Sequence, residues 1–510
     1  MTARAKKILL VILAGLLLLL SGRMQQSLNV ERDEFGLTHV AALDNAPPML
    51  AFTTVALGGF RGIISNLLWM RANDLQQDDK FFEAVQLATW ITELEPHFTQ
   101  VWTFLSWNMA YNISVKFKDF PDRWRWVERG ITLLRDEGLR YNPDDILIYR
   151  ELSWFFQHKM GQNLDDANMY YKQQWALLMR PYFGDNGTNF DELIQPSSPA
   201  SVQLLHDFTN QFKVNPAFAK QVDAKYGPLD WRLPEAQAIY WAALGLDTAA
   251  RHPEKAKADD LITLKRSIYQ SVFQAFHHGR LITNPFEQTY SLGPNLELIP
   301  QVNAAYLEMM ASDPSMSDHI GNAHRNFLRD AVYFLYENNR VAEAAKWYKL
   351  LGDMYPNKTI IDNDTNSFPR NVTMDEFAIS SVQTDVNETS QERVTSAVQG
   401  MLSRAYYELA IGQEDRYAGF KLLAAKIHEH YTASTSGFNG DKRIPLPKLE
   451  VMNNFVLSQL LDPQGNVPYA MRAVVRTRLG MGPETNAPPV PATSQPGASA
   501  TNTPALKPVE

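Results

Sequence analysis

Two short segments of the chain begin in the same way and follow a proline at the same distance. Residues 102–106 (WTFLS) and 149–153 (YRELS) each run aromatic, two variable residues, Leu and Ser, and each starts six residues after a proline, Pro96 or Pro143. A proline ends one helix, and a large residue followed by a small one lets the next helix pack closely against its neighbours. Because such linked spacings rarely agree by chance, they predict stacked antiparallel helix pairs.

The apolar residues around these segments recur at helical spacing. Two sets each fall on one helix face: Ile64, Leu67, Leu68 and Leu75, and Ala84, Leu87, Ile91 and Leu94. Arg71 and Ala88 stand where the pattern wants a large apolar side chain, and we expect Leu87 to fill the gap beside Ala88. Later stretches at 328–356 and 402–430 repeat the pattern in degenerate form.

At the aromatic openings, and at Ala84, Ala344 and Ala418 on the second helices, the chain resembles the tetratricopeptide-repeat (TPR) superfamily. That family has a repeat of about 34 residues, with W-x2-L-G-x2-Y on the first helix, A-x3-F on the second and a closing proline. The resemblance covers about residues 65–181 and 328–430. It implies an α-solenoid whose concave face holds a peptide or protein partner.

Two blocks depart from the family pattern. Residues 116–123 insert into the second repeat, and residues 182–233 contain Gly184, Gly187 and a PSSP stretch at 196–199. Both interrupt a regular superhelix, and the second is expected to be either a cap between two solenoid halves or part of the functional face. The resemblance places no peptide-clamp residues of a particular subfamily on this chain.

We therefore predict an all-α fold: a TPR-like α-solenoid of helical hairpins with irregular insertions and an N-terminal transmembrane signal-anchor helix. The predicted segments are a cytoplasmic stub and signal-anchor (1–23), a spacer and lead-in (24–56), N-terminal TPR-like repeats (57–182), an irregular insertion (183–233), a helical region ending in a repeat (234–356), a long polar loop (357–395), C-terminal helical repeats (396–480) and a disordered Pro/Ala/Thr-rich tail (481–510).

The N-terminus reads as an export signal. Arg4, Lys6 and Lys7 precede an apolar run from Ile8 to Leu20. The run lies between a cleaved signal peptide and an uncleaved anchor, and the absence of a clear small-x-small cleavage site favours the anchor. We expect the segment from Ile8 to Gly22 to cross a bacterial cytoplasmic membrane once, with the basic end inside and the remainder exported. With this anchor the chain looks like a bacterial membrane-anchored TPR protein.

Composition excludes several classes of function. The net charge is −8, and nucleic-acid binders usually carry a basic stripe to meet phosphates, so we expect no nucleic-acid partner. The chain has no cysteine, which excludes disulfides, thiolate metal sites, a cysteine nucleophile and a lipobox lipoprotein anchor.

The sequence contains no arrangement of residues typical of catalysis. His428 and His430 point to opposite sides of a regular helix and cannot share a metal there. Asp362, Asp364 and Asn366 have the first spacings of a calcium loop, but Ser367 stands where the glycine belongs, so a polar loop is favoured. We predict no enzyme activity, no catalytic residues, no cofactor and no metal.

Aromatic residues supply the candidate partner-binding positions. Trp124 and Trp126 alternate with Arg123 and Arg125, and the other candidates are Trp102, Tyr149, Trp231 and Arg232. Exposed aromatics with interleaved arginine suit a protein or sugar partner, whereas the alternative is that these rings pack in the core.

The predicted function is a membrane-tethered, non-catalytic scaffold that binds an envelope protein or peptide through the solenoid surface. The alternative is a glycan-binding or peptidoglycan-acting envelope protein with a helical superstructure. The partner's identity is not written in the sequence.

Overall fold

The computed structural model describes residues 20–21, 23–24, 60–184, 187, 190–284, 286, 289–312, 317–383, 391–435, 446–483 and 507–508. Of the predicted anchor, only Leu20 and Ser21 are among them. The predicted spacer and lead-in lies outside them apart from Met24, as does most of the predicted tail. No helix in the described part of the chain is long and apolar enough to cross a membrane.

The described residues are mostly helical, which confirms the predicted all-α class at that level. The α-helices are α1 (Phe60–Gln77), α2 (Phe81–Leu94), α3 (Thr99–Trp107), α4 (Phe120–Thr132), α5 (Leu139–Tyr141), α6 (Ile146–Trp154), α7 (Asn168–Phe183), α8 (Asp191–Ile194), α9 (Pro199–Phe212), α10 (Pro216–Tyr226), α11 (Pro234–Arg251), α12 (Ala258–His278), α13 (Ile299–Ser312), α14 (Ser317–Glu337), α15 (Val341–Met354), α16 (Met374–Gln383), α17 (Gln391–Ala410), α18 (Glu414–Thr435), α19 (Leu449–Leu460) and α20 (Tyr469–Arg478).

Other helical types continue or join these helices. The π-helical segments Asn108–Ile113, Leu133–Gly138 and Phe155–Gly161 directly extend α3, α4 and α6. Short 3₁₀ turns lie at Ser114–Lys116, Pro253–Lys255 and Leu296–Leu298.

A small sheet, which the sequence did not predict, interrupts the helices. Strands β1 (Arg280–Asn284) and β2 (Thr289–Gly293) form an antiparallel hairpin in which Arg280 pairs with Gly293. The two-residue strand β3 (Lys507–Pro508) pairs in parallel with β2.

Helix starts follow ordinary capping chemistry. The Asp145 carboxylate accepts the Leu147 N–H at 3.0 Å at the start of α6. Ser198 and Ser201 form a reciprocal capping box on α9, and Asn215 caps α10. Proline stands in the first turn of α9, α10 and α11, where its missing N–H costs no hydrogen bond.

The chain divides into two compact units, Met1–Val101 and Trp102–Glu510. In the first unit α1 packs against α2. Ala84 and Ala88 of α2 are fully buried, so the small side chain at position 88 allows close helix approach. Leu87 is half-buried.

In the second unit α11 packs against both α6 and α12 and lies in a large aromatic core. The small residues of the repeat openings work as expected, because they permit close contact. The Ser153 hydroxyl donates to the Ala238 carbonyl at 2.8 Å. A Cβ at Gly245 would lie 2.8 Å from the Cβ of Tyr149. The absence of a side chain at Gly245 therefore lets α11 approach α6 closely.

The C-terminal helices build a separate apolar cluster. α17 packs against α18, α19 and α20. Val398, Leu402 and Tyr406 of α17 are buried there with Ile427 of α18. The repeat expected at 402–430 is thus a packed helix pair, with α18 running past His430 to Thr435.

Two segments predicted to be irregular contain helices. Residues 183–233 include α8, α9 and α10. The stretch 357–395, predicted as a long polar loop, contains α16, whose Phe377 and Ala378 are buried in the core. The sequence did not predict this short amphipathic helix because clusters of Thr and Asn flank it. A helix of this length also gives only a weak periodic signal.

Candidate functional site

The structure places five of the six predicted partner-binding residues in the core. Trp102 stacks on Tyr141 with ring centroids 5.9 Å apart, and the Tyr149 hydroxyl donates to the Pro143 carbonyl at 2.6 Å. Both openings therefore act as packing anchors, and their burial does not support direct contact with a partner.

Trp231 and Arg232 are buried as well. The Trp231 indole N–H donates to Asp223, and Arg232 forms a two-pronged ion pair with Asp230 at 2.6 and 2.8 Å. These contacts hold the turn before α11. Trp231 and Arg232 therefore stabilise this turn through buried protein contacts.

Trp124 and Trp126 divide between core and surface. Trp124 is buried against Tyr171, whereas Trp126 is half-buried and stacks on Phe117 at 6.3 Å. The alternative that these rings pack in the core thus fits Trp124, whereas Trp126 keeps a partly accessible ring.

Another pair of tryptophans, which the sequence analysis did not single out, is exposed. Trp107 and Trp154 each stand five residues after an opening aromatic, Trp102 and Tyr149. Their exposed fractions are 38% and 36%. The signal was present in the sequence, because a tryptophan recurs at equivalent positions where the repeat pattern requires none.

Each exposed tryptophan stacks on a ring in the following turn. Trp107 lies 5.0 Å from Tyr111, and Trp154 lies 4.4 Å from His158, both with nearly parallel rings. The two stacks meet, since the Tyr111 hydroxyl and the Nδ1 atom of His158 are 3.2 Å apart. We call Trp107, Tyr111, Trp154 and His158 the aromatic face.

The local backbone explains this arrangement. In both repeats a π-helical segment begins directly after the exposed tryptophan, at Asn108 and at Phe155. A π turn holds an extra residue and changes the direction in which later side chains point. Such turns often occur at functional sites, and here the same one follows equivalent tryptophans in two repeats.

A cleft of about 330 Å³ opens beside the aromatic face. Tyr111 and His158 form one wall, and Val115 and Leu164 contribute exposed apolar side chains. Leu164 is 70% exposed, which is unusual for leucine and marks a surface that can bury apolar area on binding.

The floor of the cleft is a buried ionic cluster. Asp165 accepts Lys159 Nζ at 2.6 Å and Arg123 Nη1 at 3.0 Å. The Tyr171 hydroxyl and the Ala167 N–H also donate to this carboxylate. Removing one member would leave a buried charge unpaired, so the cluster fixes the cleft rigidly.

Burial and the bonded partners shift the pKa values of Asp165 and Lys159 in opposite directions. Burial alone would raise the pKa of Asp165, but the bonds from Lys159 and Ala167 hold it below its usual value. Burial lowers the pKa of Lys159 although Asp165 opposes this. Burial, with Lys159 nearby, also lowers the pKa of His158, which favours the neutral ring.

The Asp and His residues considered as metal ligands from their spacing contact other parts of the protein. Asp362 pairs with Arg329 at 3.0 Å, and His428 lies within hydrogen-bond distance of the Pro447 carbonyl. No cluster of three or more His, Asp or Glu side chains suited to a metal ion occurs among the described residues.

The aromatic face and its cleft form an uncharged aromatic ridge with apolar edges and a rigid polar floor. This chemistry suits binding of an amphipathic protein segment. Comparison of the chain with protein-family models, with curated proteins and with solved structures returned no match.

Proposed function

We propose that the helix pairs are stacked as in a TPR-like α-solenoid and that the chain is a membrane-tethered scaffold on the exported side of a bacterial cytoplasmic membrane. It binds a segment of an envelope protein along the aromatic face and does not catalyse a reaction. The anchor and the topology rest on the basic start and apolar run of residues 1–23.

The recurrence of exposed Trp107 and Trp154 carries the proposal. Tryptophan is enriched where binding energy is concentrated in interfaces, and two such rings on equivalent turns give a continuous ridge. Leu164 and Val115 beside it supply an apolar edge into which a partner side chain packs. The Lys159–Asp165–Arg123 cluster supports the floor of the cleft, because its charges are buried and paired with one another.

The test uses the full-length protein with a photo-crosslinking amino acid in place of Leu164. We expect one envelope protein to be crosslinked in a defined ratio. Combining Trp107→Ala with Trp154→Ala should reduce that crosslink at least about tenfold, a loss of roughly 1.4 kcal/mol of binding free energy. Because both rings stack on a neighbouring ring, the melting temperature of the double variant is measured to show that it remains folded.

Trp90→Ala is the matched control, because Trp90 is also exposed, at 45%, but lies on α2 of the first unit. It should crosslink like the unchanged protein. Equal crosslinking by the double variant, or binding of a polysaccharide with no protein captured, would contradict the proposal.

A further inference from the structure

A second cavity, of about 300 Å³, lies between α4, its π-helical extension, α7 and α9. We call it the Trp175 cavity. Trp124, Ile131 and Phe212 supply apolar wall, and Trp175 stands among them. Its volume is at the lower end of the roughly 300–1,000 Å³ typical of small-molecule sites.

The Trp175 indole N–H is the first sign of a missing ligand. The residue is 3% exposed, and its Nε1 atom is buried without a hydrogen-bond partner. Leaving such a donor unpaired costs about 1–3 kcal/mol, so buried indole groups usually find an acceptor. Trp175 lines the cavity, and a ligand oxygen that displaces the atoms covering Nε1 would satisfy this donor.

Further polar groups reach the cavity with unused bonding capacity. Arg135 gives its Nε and Nη2 protons to Asp136 at 2.7 and 3.0 Å, which leaves Nη1 to donate elsewhere. Gln211 accepts the Tyr182 hydroxyl only at 3.5 Å, and its amide N–H groups remain donors. Asn210 has its side-chain nitrogen beside His206, so its amide oxygen is an acceptor.

The wall thus combines donors and acceptors around an apolar patch. A polyhydroxylated ring needs this combination, because each hydroxyl both donates and accepts while the C–H face packs on apolar surface. Glu128 adds a half-buried carboxyl group whose pKa burial raises, with Arg135 opposing the shift. A weakly acidic acceptor of this kind is suited to a hydroxyl partner.

Charge selects among ligand classes. Arg135 and Asp136 neutralise each other, and the remaining charge is the Glu128 carboxyl, which disfavours an anionic ligand. An organic cation would have to displace Arg135, whose guanidinium already lies 5.8 Å from the centre of the Phe212 ring. The wall therefore fits an uncharged ligand best.

We propose that the Trp175 cavity binds a neutral sugar ring of hexose size. The Trp175 N–H, the Arg135 guanidinium and the Gln211 amide donate to its oxygens, and Glu128, Asp136 and Asn210 accept its hydroxyl protons. This site is separate from the aromatic face and does not depend on the function proposed above.

The test titrates the full-length protein with D-glucose and with N-acetyl-D-glucosamine at millimolar concentrations, by calorimetry and tryptophan fluorescence. We expect saturable binding of at least one sugar. Trp175→Phe keeps an aromatic ring but removes the N–H, and it should weaken binding about tenfold, or roughly 1.4 kcal/mol. Because Nε1 has no protein partner, this change breaks no existing hydrogen bond.

A second variant guards against misfolding. Glu128→Gln alters only a half-buried side chain and should weaken the same titration severalfold, while Trp90→Phe, at an exposed ring on α2 outside both proposed sites, should leave it unchanged. The proposal is overturned if neither sugar saturates, if both cavity variants bind as the unchanged protein does, or if tetramethylammonium binds more tightly than either sugar.

Discussion

Glu235 is a carboxyl group in the core, at the first turn of α11. It is 2% exposed, and neither side-chain oxygen has a hydrogen-bond partner. Burial raises its pKa to about 7, although the charge of Lys172 opposes the shift. Lys172 is buried too, and burial lowers its pKa to about 8. Keeping Glu235 and Lys172 charged in the core therefore lowers the stability of the folded protein.

The pH dependence of stability follows from this shift. The folded protein retains a proton on Glu235 that the unfolded chain releases above its usual pKa of 4.5. The contribution of Glu235 to the free energy of unfolding therefore falls by on the order of 3 kcal/mol as pH rises from about 4.5 to about 7. Above pH 7 this contribution no longer changes. Glu235→Gln should remove that fall.

Urea unfolding at pH 5 and pH 7.5 measures the effect. Other buried groups titrate in the same range, so the readout is the difference in pH slope between the variant and the unchanged protein. Glu83→Gln is the control, because Glu83 also lies in the first turn of its helix, α2, but is exposed. If Glu235→Gln and Glu83→Gln show the same slope, the assignment is wrong.

At the scale of elements, small residues set how closely helices approach. A Cβ at Gly130 on α4 would lie 2.8 Å from the backbone carbonyl oxygen of Ser106 on α3. Ser106 is the small residue of a repeat opening, so two small positions face each other. The backbone atom cannot move aside without shifting a helix.

Overpacking in Gly130→Ala should therefore cost about 1–3 kcal/mol. The roughly 1 kcal/mol that alanine gains over glycine inside a helix offsets part of this cost, which leaves a net destabilisation of up to about 2 kcal/mol. Gly400→Ala on α17 is the matched control, because a Cβ there meets nothing within 4 Å. It should raise the melting temperature slightly, and the idea fails if Gly130→Ala does the same.

At the scale of the whole molecule, the proposed topology predicts where the protein is found in a cell. If the segment from Ile8 to Gly22 is the anchor that we propose, the full chain is expected in the membrane fraction after an alkaline wash, with its original N-terminus. Removing residues 1–23 should move it to the soluble fraction.

Removing residues 484–510 is the control and should leave membrane association unchanged, since that stretch contains few large apolar residues. N-terminal sequencing distinguishes the two interpretations of the apolar run. A soluble protein that starts shortly after Ser21 would show a cleaved signal peptide and would contradict the anchor.

The sequence by itself determined the helical class, many helix positions and the buried role of small residues in the repeat openings. These follow from local rules, since periodicity, capping and proline act over a few neighbouring residues. For the same reason the short helix α16 and the hairpin of β1 and β2 escaped prediction. Short elements are stabilised by distant partners, as when Phe377 of α16 enters the core.

Only the tertiary structure decided which aromatic residues face solvent. Helical spacing assigns a residue to a face, but other parts of the chain decide whether that face is covered. Trp231 is buried by segments on either side of it, whereas nothing in the described residues covers Trp107 and Trp154 completely. Likewise, Asp165 reaches Arg123 across 42 residues of sequence, a contact that arises only when the helices pack. The candidate site therefore depends on long-range packing.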